Sequence, residues 1–202
     1  MKRILTALIM CLPMVALAQN DWEVPDEPKP VVTVNPDEKY LAGAVPVVNG
    51  RVVFQHTIEA PGLSAGQIYD KLLNLVGRMT KGKNQFEQSR IVFTDSTKHS
   101  FAAYFQEWLV FTNRALVLDR TRLMYNLVVE CADGSATIYM QGIKYLYEEE
   151  RDPQRYTAEE WITDENALNK KKTKLSPLSG KFRRKTIDRK DFIFSRLEEE
   201  LK

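Results

Sequence analysis

Between Arg51 and Glu59, Val52, Phe54, His56 and Ile58 alternate with Val53, Gln55, Thr57 and Glu59. That two-residue period predicts a strand with one covered face. Pro61-Gly62 ends it, and Ile68, Leu72, Leu75, Val76 and Met79 then recur at offsets of 4, 7, 8 and 11. Such spacing gathers apolar side chains on one side of a helix over 67–79, with Gly82 as its stop. Arg90 to Thr94 and Phe101 to Thr112 are strand-like and are joined by the polar turn Asp95-Ser96-Thr97-Lys98. Leu123 to Ala132 and Ser135 to Tyr147 flank Asp133-Gly134, a two-residue hairpin turn. Pairing across that turn sets Cys131 opposite Ala136, Val129 opposite Ile138 and Leu127 opposite Met140. Glu130 then meets Thr137 and Asn126 meets Gln141 on the other face, so one face is apolar and the other mixed. Thr157 and Glu160 form a capping-box pattern for a helix toward Asn169. A last helix from Ile187 to Leu201 carries Ile193, Phe194, Leu197 and Leu201 on one stripe. The order is β-α-β-β-β-β-α-α, and successive strands imply an α+β fold with an antiparallel sheet of about five strands.

One feature of that sheet exceeds what a single core needs. Phe101, Phe105, Leu109 and Phe111 occupy one alternation of their strand, yet Tyr104, Trp108 and Val110 occupy the other. On the hairpin, Met124, Val128, Tyr139 and Ile143 likewise populate the face turned away from Leu127 and Met140. With helix 67–79 on the first face, the second must be covered by residues 157–201, a ligand or another subunit. Tyr104, Trp108, Tyr139 and Ile143 are the candidate ligand- or partner-binding residues on it.

The termini supply an address and a charge pattern. Lys2 and Arg3 precede an apolar run from Ile4 to Leu17, and Ala16-Leu17-Ala18 is a small-x-small cleavage pattern, so 1–18 reads as a secretory signal peptide. Pro13 interrupts the run short of the ~20 residues that cross a bilayer, so no transmembrane helix is expected after cleavage. Cys11 belongs to this run; Met10 is bulky where a lipid-attachment motif wants a small residue. Residues 19–47, with prolines at 25, 28, 30, 36 and 46, read as an extended Pro-rich arm, and 48–202 as a single domain. The leader holds two of the 29 basic and none of the 27 acidic residues, so the mature chain has 27 of each and carries no global bias toward nucleic acid. Charge is nevertheless segregated: 148–165 is acidic and the C-terminal segment 170–190 basic. Lys170, Lys171, Lys172, Lys174, Lys181, Arg183, Arg184 and Lys185 are the candidates for contact with an anionic surface, against the alternative of a solvated basic loop. After cleavage only Cys131 remains, so no disulfide framework is available.

Candidate chemistry is sparse. Gly62-Leu63-Ser64-Ala65-Gly66 matches the G-x-S-x-G nucleophile elbow, which makes a serine hydrolase the alternative function. That chemistry needs a histidine and a carboxylate held by a parallel sheet, whereas the only downstream histidine is His99 in a turn. Ser64 has a simpler role as helix N-cap, paired with Gln67. Neither histidine has ligand-type neighbours at metal spacing, so no metal is expected, and with no phosphate loop or dinucleotide fingerprint no cofactor is expected either. His56 shares a face with Phe54 and Ile58 and reads as a core-margin residue. Cys131, on the apolar hairpin face, reads as an inert thiol. Glu148-Glu149-Glu150 reads as a solvated strand end rather than a pair for acid–base work.

With these elements in place, the chain resembles an uncharacterised family of exported bacterial proteins, a domain of unknown function with a TATA-binding-protein-like, helix-grip-like fold. The resemblance lies in Val53-Phe54, in Gly62-Leu63-Ser64 leading into Gln67-Ile68-Tyr69, and in Tyr125-Asn126-Leu127 ahead of Asp133-Gly134. It covers roughly Val48 to Tyr147. It implies a fold and an envelope location, in the periplasm or secreted, but no catalytic residues, and the fold's name gives no reason to expect DNA binding. The sequence thus points to a non-catalytic binding module of the cell envelope, with an unidentified envelope protein or small ligand as partner.

Overall fold

The computed structural model describes residues 35–114 and 117–202. The leader at 1–18, Cys11 and the arm up to residue 34 lie outside the described residues. After a 3-10 turn at Glu38–Tyr40 come β1 (Val47–Val48), β2 (Arg51–Glu59), α1 (Ala65–Met79), β3 (Arg90–Asp95), β4 (Ser100–Arg114), β5 (Val117–Ala132) and β6 (Ser135–Tyr147). Then follow β7 (Gln154–Thr157), α2 (Ala158–Trp161), α3 (Asp164–Ala167) and α4 (Ser179–Leu201). The strands form one antiparallel sheet in the order β1-β2-β6-β5-β4-β3, with β7 also paired to β6. The fold is α+β, as the periodicities predict, but the sheet has 7 strands rather than about five. The two additions, Val47–Val48 and Gln154–Thr157, are too short to show a period of their own.

The hairpin register is the one Asp133-Gly134 sets, from Ala132↔Ser135 through Asn126↔Gln141. It then shifts: the next pair is Met124↔Lys144, so Gly142 and Ile143 together oppose Tyr125. Gly142 has φ +64°, and a Cβ there would stand 2.9 Å from Asn126 Nδ2, which is why glycine occupies the bulge. The extra residue reverses the alternation beyond it. Ile143 and Tyr145 therefore turn inward, each 1% exposed.

Both long helices lie on one side of the sheet. Ile68, Leu72 and Val76 of α1 and Phe182, Ile193 and Leu197 of α4 share a single core with Phe54, Phe101, Phe105, Leu127, Ile138 and Met140. The His56 ring stacks on Phe194 at 5.5 Å, and Arg189 Nε donates to Glu107 Oε1 at 2.8 Å, so α4 meets β2 and β4 on the face that α1 covers. Cover of the second face by residues 157–201 is thereby overturned. The C-terminal helix begins at Ser179 rather than Ile187, while the helix expected from Thr157 toward Asn169 is split into α2 and α3. The Thr157 capping box is formed as expected.

The arm reading also changes toward its end. Tyr40 and Val45 are buried, because Arg183, fully buried in α4, holds that segment by its main chain. Its Nε donates to Tyr40 O at 2.6 Å, Nη2 to Leu41 O at 2.6 Å and to Asp164 Oδ1 at 2.7 Å, and Nη1 to Ile162 O at 2.8 Å. One guanidinium thus joins the pre-β1 segment, the end of α2 and α3 to α4. Arg183→Met keeps the volume but strips three carbonyls and Asp164 of their donor. Urea unfolding of this variant is expected to show a loss of about 3–5 kcal/mol, the cost of breaking a buried charge pair.

Candidate functional site

Because residues directly opposite in an antiparallel sheet point to the same side, the register lists what the uncovered face presents. One row crosses five strands: Phe93, Ala102, Val128, Tyr139 and Gln55 on β3, β4, β5, β6 and β2. The row on one side is Arg90, Tyr104, Asn126, Gln141 and Val53. The row on the other side is Asp95, Ser100, Glu130, Thr137 and Thr57. On β4, β5 and β6 most residues of this face are half-buried and alternate with buried core residues, as in-plane neighbours shade one another on a sheet; Gln106 is buried, and Glu130 and Lys144 are exposed. Phe93, at the β3 edge, remains 53% exposed.

Of the four residues expected here, Tyr104, Trp108 and Tyr139 share the open face and Ile143 does not. Ile143 is corrected to the core, where the Gly142 bulge sends it. Tyr139 donates to Glu130 Oε2 at 3.5 Å, and partial burial together with that carboxylate raises its phenol above the ordinary value. Phe93 escaped the sequence reading. Its place in the row depends on the β3–β4 register, which slips between Ile91 and Phe93.

Trp108 belongs to a different part of the same face. The Arg120 guanidinium lies 3.7 Å from its ring centroid and the Phe86 ring 5.2 Å away, so its ring is already engaged. Arg122, over Phe86 at 4.1 Å, pairs with Glu149 through Nε at 2.9 Å, and Arg120 pairs with Glu150 at 3.1 Å. These pairs hold the turn after β6 against the β4–β5 hairpin. A groove of about 370 Å³ opens there, lined by Trp108, Leu118, Arg120, Leu146 and the 148–151 turn. The Glu148–Glu150 run is thus partly engaged with arginines rather than simply solvated.

The basic segment does not act as a unit. Lys170, Lys171, Lys172 and Lys174 are exposed on the loop before α4. Lys181 instead donates to Asp119 at 2.7 Å and to the Tyr147 hydroxyl at 2.9 Å. Arg184 pairs with Asp37, and Lys185 is also engaged. Arg183 has a side-chain exposure of 0%, which removes it from any surface contact. Folding 179–201 as one helix commits Arg183 to the interior and ties Lys181 and Arg184 to carboxylates of the domain, so of the eight candidates Arg183 is corrected to the core, and the four loop lysines stand apart from the tied residues of the helix.

Ser64 Oγ accepts from Gln67 N at 3.3 Å and Gln67 Oε1 accepts from Ser64 N at 2.9 Å, a complete capping box, while Asp133 Oδ1 accepts from Ala65 N at 2.8 Å. Among the described residues His99 hydrogen-bonds to neither Ser64 nor Asp133 through its ring. Burial pushes the Cys131 thiol up to about 11, far from thiolate at neutral pH. Among the described residues there is no cluster of three or more His, Cys, Asp and Glu side chains placed to hold a metal ion, and no helix long and apolar enough to cross a membrane.

A second cluster lies on the covered face and was missed. Glu107, 1% exposed, accepts from Arg189 Nε and Tyr125 Oη, both at 2.8 Å, and from Gln85 Nε2 at 2.7 Å. Burial, then the adjacent carboxylate, raise the Tyr125 phenol well above its usual value. The signal was a carboxylate on the core alternation between Phe105 and Leu109. A cavity of about 150 Å³ adjoins it, walled by Met79, Asn84 and Phe192.

A family described as a domain of unknown function (DUF4468) with TBP-like fold matches residues 54–146. The chain is similar to the solved structure of a DUF4468 family protein from Bacteroides ovatus, at 42% sequence identity and a TM-score of 0.78, covering 83% of this chain and 96% of that one. It also shares its fold with a TBP-like protein from Parabacteroides distasonis, at 18% identity and a TM-score of 0.64, over 78% of this chain and 96% of that one. None of the curated proteins matches it. The chain belongs to the DUF4468 family.

The capping geometry of Ser64 has a direct test. Ser64→Ala is expected to lower stability in urea by about 1 kcal/mol, and Ser64→Asp, an equally good N-cap, to retain it. Loss of an enzymatic turnover in Ser64→Asp with stability intact would give the serine a chemical role instead.

Proposed function

We propose that this DUF4468 protein is an exported, non-catalytic binding module that engages a protein surface through the open face of its sheet. The observation that carries the reading is the one-sided placement of α1 and α4. It leaves the Phe93, Ala102, Val128, Tyr139 row and Tyr104 without cover from any described residue. Apolar and tyrosine side chains in a continuous row on a rigid sheet are the kind of patch that marks an interaction site. A broad, shallow face suits a protein partner better than a small molecule, which needs a concave pocket to bury most of its surface. The non-catalytic part is supported by the groups that chemistry would draw on: Ser64 is committed to a cap, Cys131 is held as a thiol, and Glu107 is neutralised by Arg189. Export rests on the leader pattern at 1–18.

Two measurements test this. A photo-crosslinking residue placed at position 104 or 139 is expected to capture protein in the native cell, while the same probe at Lys71, exposed on α1, captures none. Equal labelling at all three positions overturns the sheet face as the site. The chain recovered from that cell is expected to begin at Gln19 and to fractionate outside the cytoplasm; a chain that keeps Met1 and stays in the cytoplasm overturns export.

A further inference from the structure

We infer that the open face packs against the same face of a second copy of this chain, with a twofold axis along the row Phe93, Ala102, Val128, Tyr139 and Gln55. This deepens the binding role proposed above and rests on it. The argument comes from how charge is laid out across the face. On the β5–β6 turn side of the apolar row stand Glu130 and Glu59; on the opposite side stand Arg90 and Lys144. All four are exposed, and among the described residues none of them makes an ion pair. Among the described residues the Arg90 guanidinium donates to Gln88 O, and the Glu130 carboxylate accepts from Tyr139. Away from the Arg120 and Arg122 pairs, the face around this row is therefore acidic at one end, apolar in the middle and basic at the other, with these four charges uncompensated among the described residues.

A patch of that design complements itself under one operation. Rotation by 180° about the apolar row lays each strand over its own copy and exchanges the two ends. Asp95 and Arg90 stand one row to either side of Phe93, so Asp95 of one chain comes over Arg90 of the partner subunit. On β6, Ser135 lies two rows before Tyr139 and Lys144 two rows after it, the bulge residue included. Ser135 thus comes over Lys144 of the partner subunit, with Glu59 on the neighbouring strand about 4.8 Å to the side. The interface is isologous, so each attraction occurs twice, and Val128 meets its own copy near the axis. Two sheets can stack face to face about 10 Å apart in this way, their side chains interdigitating as in a sandwich core. A twofold axis along the strands would instead bring like ends together and set like charges against each other at the rim.

Sedimentation equilibrium of the purified protein at low ionic strength is the test, with circular dichroism to check that each variant is folded. The expected result is a dimer that weakens with added salt, and a monomer for Val128→Glu, which sets two carboxylates against each other at the axis. Glu59→Lys and Lys144→Glu are each expected to raise the dimer dissociation constant about tenfold, and the two together to restore it, because the reversal is then mutual. A monomer at every concentration overturns the inference, and so does a dimer indifferent to Val128→Glu and to both charge reversals, since it is then built through another surface. If the purified protein is monomeric while a probe at position 139 still captures a different protein in the cell, the second copy is overturned and the binding role of the face stands. A monomer without capture removes both.

Discussion

The buried pair of Glu107 and Arg189 decides on which side of the sheet the C-terminal helix lies. Glu107 stands on the inward alternation of β4, between Phe105 and Leu109, and without a counter-charge it would be a bare carboxylate beneath the helical layer. Isolating such a charge costs several kcal/mol, far more than one apolar contact supplies. Only a helix that brings Arg189 to that face meets the demand, and Tyr125 and Gln85 complete the carboxylate's hydrogen bonds. An α4 laid on the opposite face would bury neither its own apolar stripe against α1 nor this pair. The pair adds little net stability over an apolar substitute, but it penalises the alternative topology.

Once α4 is committed beside α1, the rest of the architecture follows from what remains uncovered. Arg183, two turns before Arg189, reaches the pre-β1 segment and the α2–α3 connection, and draws both onto the rim of the helical layer. Lys181 and Arg184 are spent on Asp119 and Asp37 around it. The basic C-terminal segment is therefore largely a set of ties within the domain. The same commitment leaves the other sheet face without a helical layer among the described residues, and most of its side chains are half-buried by their in-plane neighbours.

How far the sequence could be read depends on whether a feature is local. The strand, helix and hairpin periods are local, and so is the register set by Asp133-Gly134; it runs correctly from Ala132↔Ser135 to Asn126↔Gln141. It fails at Gly142, where one extra residue reverses the alternation and carries Ile143 inside. The glycine in mid-strand was the available sign of a bulge. The Ser64 and Thr157 caps were likewise legible, since each needs only four residues. Phe93 was not, because its row is assembled from a pairing between separate strands that itself slips by a residue. Nor was the destination of α4, which rests on a contact between residues 107 and 189 that no period encodes.

The candidate site divides along the same line. Trp108, one of the four candidates, carries Arg120 on its ring and abuts Phe86, and what it leaves exposed lines the groove beside the turn after β6. Tyr104, Tyr139 and Phe93 carry no such arginine over their rings, and no described residue stands above them. A large aromatic residue on an exposed face therefore marks a binding surface only when its own neighbours leave it open, and here the distinction is made by Arg120 and Arg122 on β5. Their carboxylate partners at 149 and 150 hold them in place, so the acidic run after β6 keeps the tryptophan covered and leaves the tyrosine-bearing row as the part of the face free to be met.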